Sequence, residues 1–85
     1  MMVGKKKNRK TLVELENGEI GLVTKLRGGT YFNQRLQALG IRQGIKVTKL
    51  SSMLFNGPVT VKVGEAKVAI GRGMAEKIDV EVTGQ

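Results

Sequence analysis

Glu14 with Glu16, Asp79 with Glu81, the arginines Arg35 and Arg72, and the cations clustered between Lys5 and Lys10 are the residues whose type and spacing could do chemistry. Paired carboxylates can serve as general acid and base or hold a hard cation. A glycine-flanked arginine can meet a phosphate, and a cationic run can follow a polyanion. Each of these has a plainer reading. Carboxylates that alternate with Val13, Leu15, Val80 and Val82 are what the wet side of a strand carries. Gly71-Arg72-Gly73 has the start of a phosphate-binding glycine loop, yet Glu76 stands where the third glycine would be and no Walker lysine motif follows; a barrel-corner turn is expected. Arg35 is expected to keep a solvated head on a stem laid over the fold. The chain has no histidine and no cysteine, which removes the usual general base, the thiol nucleophile and the preferred ligands of zinc, copper and ferrous iron. No catalytic residue, metal ligand or cofactor is assigned, and the chain reads as non-enzymatic.

The formal net charge of +8 raises the question of an anionic partner, and its distribution answers part of it. Lys5, Lys6, Lys7, Arg9 and Lys10 carry five positive charges with no acid among them, whereas the rest of the chain holds ten basic and seven acidic residues. Residues 1–10 therefore read as a solvated, disordered basic arm, and residues 11–85 as one domain close to charge balance. Barrels that bind single-stranded nucleic acid stack bases on aromatic side chains of the sheet. Here the aromatics are Tyr31, Phe32 and Phe55, none on an expected strand, which argues against a nucleic-acid partner. With 85 residues there is one modest core and no room for an internal cofactor cavity. The absence of cysteine suits a reducing cytoplasm, and no apolar run approaches the length of a membrane span or signal peptide, so a cytoplasmic protein without membrane insertion is expected.

The elements that must position these residues can be read from periodicity. Leu12 to Leu15 alternates as a first strand, with Val13 and Leu15 on its dry face, and Asn17-Gly18 turns it. Glu19 to Leu26 is a second strand, with Ile20, Leu22 and Leu26 in phase and Val23 out of phase; that mismatch predicts a bulge near Gly21. Thr30 then N-caps a helix whose inner face is Phe32, Leu36 and Leu39. Gly40, in the left-handed region, stops it in a Schellman ending that brings Ile41 onto Leu36. Arg42-Gln43-Gly44 turns into a strand beginning at Ile45. Ser51 to Gly57 is irregular, and Pro58 opens a strand with Val59, Val61 and Val63 on one face. Gly64-Glu65 makes a two-residue hairpin turn to Val68 and Ile70. Met74 to Lys77 makes one helical turn, and Ile78, Val80 and Val82 form the last strand. The expected fold is mainly β: a small SH3-like barrel of five to six short strands with one short helix between strands two and three.

Met53-Leu54-Phe55 is the feature this architecture does not absorb. A strand hides only alternate residues, so three consecutive large apolar side chains in a loop leave at least one exposed, as a partner-docking patch or a homo-oligomer contact would. Tyr31, Arg35 and Arg72 are the further candidate partner-binding residues.

The residues also carry a family resemblance. Leu12-x-x-Leu15, Gly18 and Val23, then Arg35-Leu36-x-x-Leu39-Gly40-Ile41-x-x-Gly44, then Gly57-Pro58-Val59-x-Val61, and finally Ala75-x-x-Ile78-x-Val80 resemble the FeoA-type ferrous iron transport protein A family over residues 11 to 82. Gln43 departs from the pattern, which usually has proline there. The resemblance implies an SH3-like barrel, a cytoplasmic location and a role beside FeoB, the membrane ferrous iron transporter with a G-protein domain. The same small domain resembles the C-terminal module of diphtheria-toxin-repressor-type metalloregulators. A metalloregulator-type domain and a basic nucleic-acid-associated barrel are the alternative readings.

Overall fold

A computed structural model describes residues 9–52 and 57–84 of the chain. The strands are β1 (Arg9–Thr11), β2 (Ile20–Leu26), β3 (Lys46–Ser52), β4 (Val59–Val63), β5 (Ala66–Ile70) and β6 (Ile78–Gly84). Helix α1 (Thr30–Ala38) lies between β2 and β3, and a single turn, α2 (Arg72–Ala75), between β5 and β6. All six strands join one antiparallel sheet in the order β1-β6-β2-β3-β4-β5. Its concave side holds one core, in which Leu12, Val23, Leu36, Ile41, Val47, Val61 and Ile78 are buried.

Where local chemistry decides, the structure follows the expectation. Gly40 has φ 87°, its N–H donates to the Gln37 carbonyl and that of Ile41 to Leu36, both at 2.9 Å. These are the two bonds of a Schellman motif. Gly64, at φ 59°, sits in the two-residue turn between paired Val63 and Ala66. Val59 and Val61 are buried, and β6 buries Ile78 and Val80. Gly44, at φ 91°, closes the Arg42–Ile45 turn, where the Ile45 N–H donates to Arg42. Gln43 ties that turn down, its Nε2 donating to the Thr24 carbonyl at 2.7 Å.

Several expectations are corrected. The N-cap of α1 is Gly29, not Thr30: the chain enters the helix through φ 90°, and the Gly29 carbonyl accepts the first helical bond, from Asn33. Leu39 is 39% exposed rather than buried, because the helix ends at Ala38 and the Schellman turn carries Ile41 into the core in its place. Residues 12–14 form a 3₁₀ turn, not a strand, and bury Leu12 and Leu15 instead of Val13 and Leu15. The Glu14 carboxylate accepts from the Thr11 N–H at 2.8 Å, half of a capping box that starts a helical turn. Glu14 and Glu16 therefore do not share a strand face.

In β2 the buried positions are Gly21 and Val23, with Ile20 and Leu22 half-buried. A Cβ on Gly21 would lie 2.9 Å from that of Val80, so the strand packs backbone-first against β6. The expected bulge is there, as register shifts at Ile20/Gly21 and Val23/Lys25. Pairing of Arg9 with Glu81 and Lys10 with Val80 puts the start of β1 inside the stretch read as an arm. β3 runs on through Ser51 and Ser52, which pair with Thr60 and Val59. α2 begins at Arg72, two residues before the expected Met74.

Candidate functional site

The outer face of α1 presents the most exposed large hydrophobic side chain among the described residues. Phe32 and Leu36 point inward, so the residues one position before each point out. Tyr31 is 71% exposed, and the Arg35 guanidinium lies 5.9 Å from the centre of its ring, one helical turn along. That is cation–π range. Leu39 continues the same line at the helix end, and Arg42 is exposed in the turn beyond. Arg35 is exposed, as expected of a solvated head, and that head lies over the Tyr31 ring. Gly28 fixes the other side of this helix: the Phe32 ring occupies the space a Cβ there would need.

Arg72 is not brought to this face. It begins α2, which packs against the 3₁₀ turn, and its guanidinium is 3.8 Å from Glu76. Gly57 is half-buried and Pro58 exposed just ahead of β4. Met53, Leu54 and Phe55 lie outside the described residues. A surface depression between β1, β2 and β6 carries both signs of charge, with Arg9 and Lys25 facing Glu14 and Glu81. Asp79, the other acidic residue of β6 besides Glu81, is held by Arg27 at 3.0 Å. Among the described residues no three His, Cys, Asp or Glu side chains are placed to hold one metal ion.

Sequence reasoning missed one polar centre. Lys49 on β3 is only 2% exposed, and its Nζ donates to the carbonyls of Leu15 (2.7 Å), Val13 (3.0 Å) and Leu12 (3.4 Å). Its backbone N–H donates to the Glu19 carbonyl, and its carbonyl accepts from Gly18. One residue therefore staples the 3₁₀ turn and the Asn17-Gly18 turn to the sheet. Burial pushes the Lys49 amine below its ordinary range, helped by nearby Arg72. Glu19 beside it is pulled the other way from a neutral acid: the Glu16 N–H (2.8 Å) and the Lys10 ammonium (3.0 Å) both bond its Oε1 and lower its pKa. The available signal was phase, since Lys49 follows buried Val47 by two residues and so had to face inward.

A six-stranded antiparallel sheet around one core, with a helix between its second and third strands, is a small SH3-like barrel. Residues 10–82 match the FeoA domain family, and the chain belongs to that family, which is associated with ferrous iron transport. The "Putative Fe(2+) transport protein A" of Methanocaldococcus jannaschii is 39% identical over 66 residues, 78% of each chain. The crystal structure of an iron uptake regulatory protein (FeoA) superposes with a TM-score of 0.80 at 32% identity, covering 88% of this chain and 97% of that one. A manganese-dependent transcriptional repressor has the same fold at 20% identity, with a TM-score of 0.81 over 93% of this chain and 44% of its own. No helix among the described residues is long and apolar enough to cross a membrane.

Proposed function

We propose that this chain is a non-enzymatic cytoplasmic accessory protein of ferrous iron transport, which binds the cytoplasmic side of a FeoB-type membrane transporter and modulates its assembly or nucleotide cycle. The observation that carries this reading is the exposed Tyr31–Arg35 pair on a domain whose polar centre, at Lys49, is used up in holding the fold together. What remains outward is a surface for contact. Family membership supports the connection with ferrous iron transport.

The test is capture from detergent-solubilised membranes with the tagged full chain. Retention of the transporter, weakened by Tyr31→Ala with Arg35→Ala, is the expected outcome; no retention by the unaltered chain overturns the reading. Met53 and Phe55 are proposed as a second contact. Their double replacement by serine is expected to weaken capture while leaving the thermal melt unchanged, and unchanged capture would remove that loop from the interface.

A further inference from the structure

Charge is divided along this chain in a way that the overall balance of the domain conceals. Between Glu19 and Glu65 there is no acidic residue, while Lys25, Arg27, Arg35, Arg42, Lys46, Lys49 and Lys62 all fall in that interval. The interval spans β2, α1, β3 and β4. The acids sit in the remainder, and Glu14, Asp79 and Glu81 border a single depression at the β1–β6 side. Two of the cations in the acid-free interval are already committed: Arg27 pairs with Asp79, and Lys49 is buried on carbonyls. Arg35 and Arg42, by contrast, make no ion pair among the described residues and stand exposed, Arg35 on α1 and Arg42 in the turn just beyond its end.

We infer that the α1 face formed by Tyr31, Arg35, Leu39 and Arg42 is the docking surface for an acidic, amphipathic segment of a partner protein. The spacing defines what fits. Tyr31 and Leu39 are about 12 Å apart along the helix axis, at about 1.5 Å per residue, with Arg35 midway between them. A segment that puts one large apolar side chain between Tyr31 and Leu39 can set carboxylates on Arg35 and Arg42. Burial of Tyr31 would exclude water from the Arg35 guanidinium and strengthen that pairing. This inference rests on the accessory-protein reading above for the identity of the partner and on the charge pattern for its chemistry.

The inference is tested by titrating the full, isotopically labelled chain and following its amide chemical shifts. The first probe is a synthetic amphipathic peptide of glutamate and leucine, and its control has glutamine for every glutamate. Saturable shifts centred on Tyr31, Arg35, Leu39 and Arg42 with the acidic peptide only, and at least about tenfold weaker binding by Arg35→Glu with Arg42→Glu, are expected. Tyr31→Ala, at an exposed position, keeps the fold and should weaken binding by about tenfold. Shifts spread over Lys46, Lys62 and Lys67, or no saturation, would mean unspecific attraction and would overturn the inference. Equal α1 shifts with phosphatidylglycerol vesicles would overturn it in favour of a lipid surface. The second probe is the cytoplasmic portion of the transporter. If it binds another face, the docking inference fails while the accessory function stands; if it does not bind although the acidic peptide does, the docking chemistry stands and the accessory reading fails.

Discussion

Helix α1 and the 3₁₀ turn at residues 12–14 both leave carbonyls without helical partners at their C-terminal ends, and they dispose of them differently. In α1 the backbone does it: Gly40 turns left-handed, and its own N–H and that of Ile41 double back onto Gln37 and Leu36. At the 3₁₀ turn a side chain does it, the Lys49 ammonium arriving from 34 to 37 residues further along to take the carbonyls of Leu12, Val13 and Leu15. A local solution requires one permissive glycine. A distant one requires a buried charge that is tolerable only because every donor it offers is used. The first kind of ending is self-sufficient, and the second exists only once the sheet has formed.

The largest way to break this contrast is Lys49→Met, which keeps the volume and removes the donors. It is expected to cost about 2–3 kcal/mol in a denaturant melt, because buried carbonyls of the 3₁₀ turn are left without partners. An unchanged melt would mean that water replaces the ammonium at no cost. Gly40→Ala is expected to cost less, about 1 kcal/mol, the penalty for a side chain in the left-handed region. If it cost more than Lys49→Met, the local ending would be the more demanding of the two.

Titration sharpens the same comparison, since only the distant solution carries ionisable groups. The folded state lowers the pKa of Glu19 from its ordinary 4.5, so Glu19 adds stability above that value and loses it as pH falls through the depressed one. Glu19→Gln should flatten this acid limb of the stability curve. Lys49 is also depressed, from 10.5, but its charged form is the disfavoured one. The unfolded chain then holds more protons between the depressed value and 10.5, and stability contributed by Lys49 rises with pH across that window. The difference between wild type and Lys49→Met, followed by melts from pH 8 to 10.5, should show the rise; a flat difference would place the amine in an ordinary environment. The smallest effect belongs to deletion of residues 1–8, which should leave the melting temperature nearly unchanged because Lys10 and its ion pair with Glu19 are kept.

What could be read in the sequence follows the same division. The stop of α1, the Gly64-Glu65 hairpin and the inward valines of β4 depend on residues a few positions apart, and all three were legible. The 3₁₀ turn was not, because Leu12, Val13 and Leu15 fit both a two-residue and a three-residue period; Thr11 and Glu14, spaced as a capping box, held the deciding signal. The phase of β2 was hidden by Gly21, which has no side chain to mark it as buried. Of the candidate site, Tyr31 and Arg35 were named as candidates but not paired, although their spacing of four residues on α1 carries that signal, whereas the separation of Arg72 from them is a matter of topology that periodicity does not carry.

The place of β6 in the sheet has a consequence for how the protein is made. This strand lies between β1 and β2, so an interior position is filled by the last of the six strands to leave the ribosome. Until Ile78 to Gly84 emerge, β1 has no partner and β2 lacks one of its two, and buried Leu12 and Val23 have no Ile78 or Val80 to close over them. Synthesis and folding are thereby ordered in time: the barrel forms in one step after translation of its final strand, with β4–β5, joined by a two-residue turn, a hairpin available earlier. A released chain ending at Lys77 should accordingly be cut by protease throughout residues 9–52, and the chain that runs past Gly84 should resist.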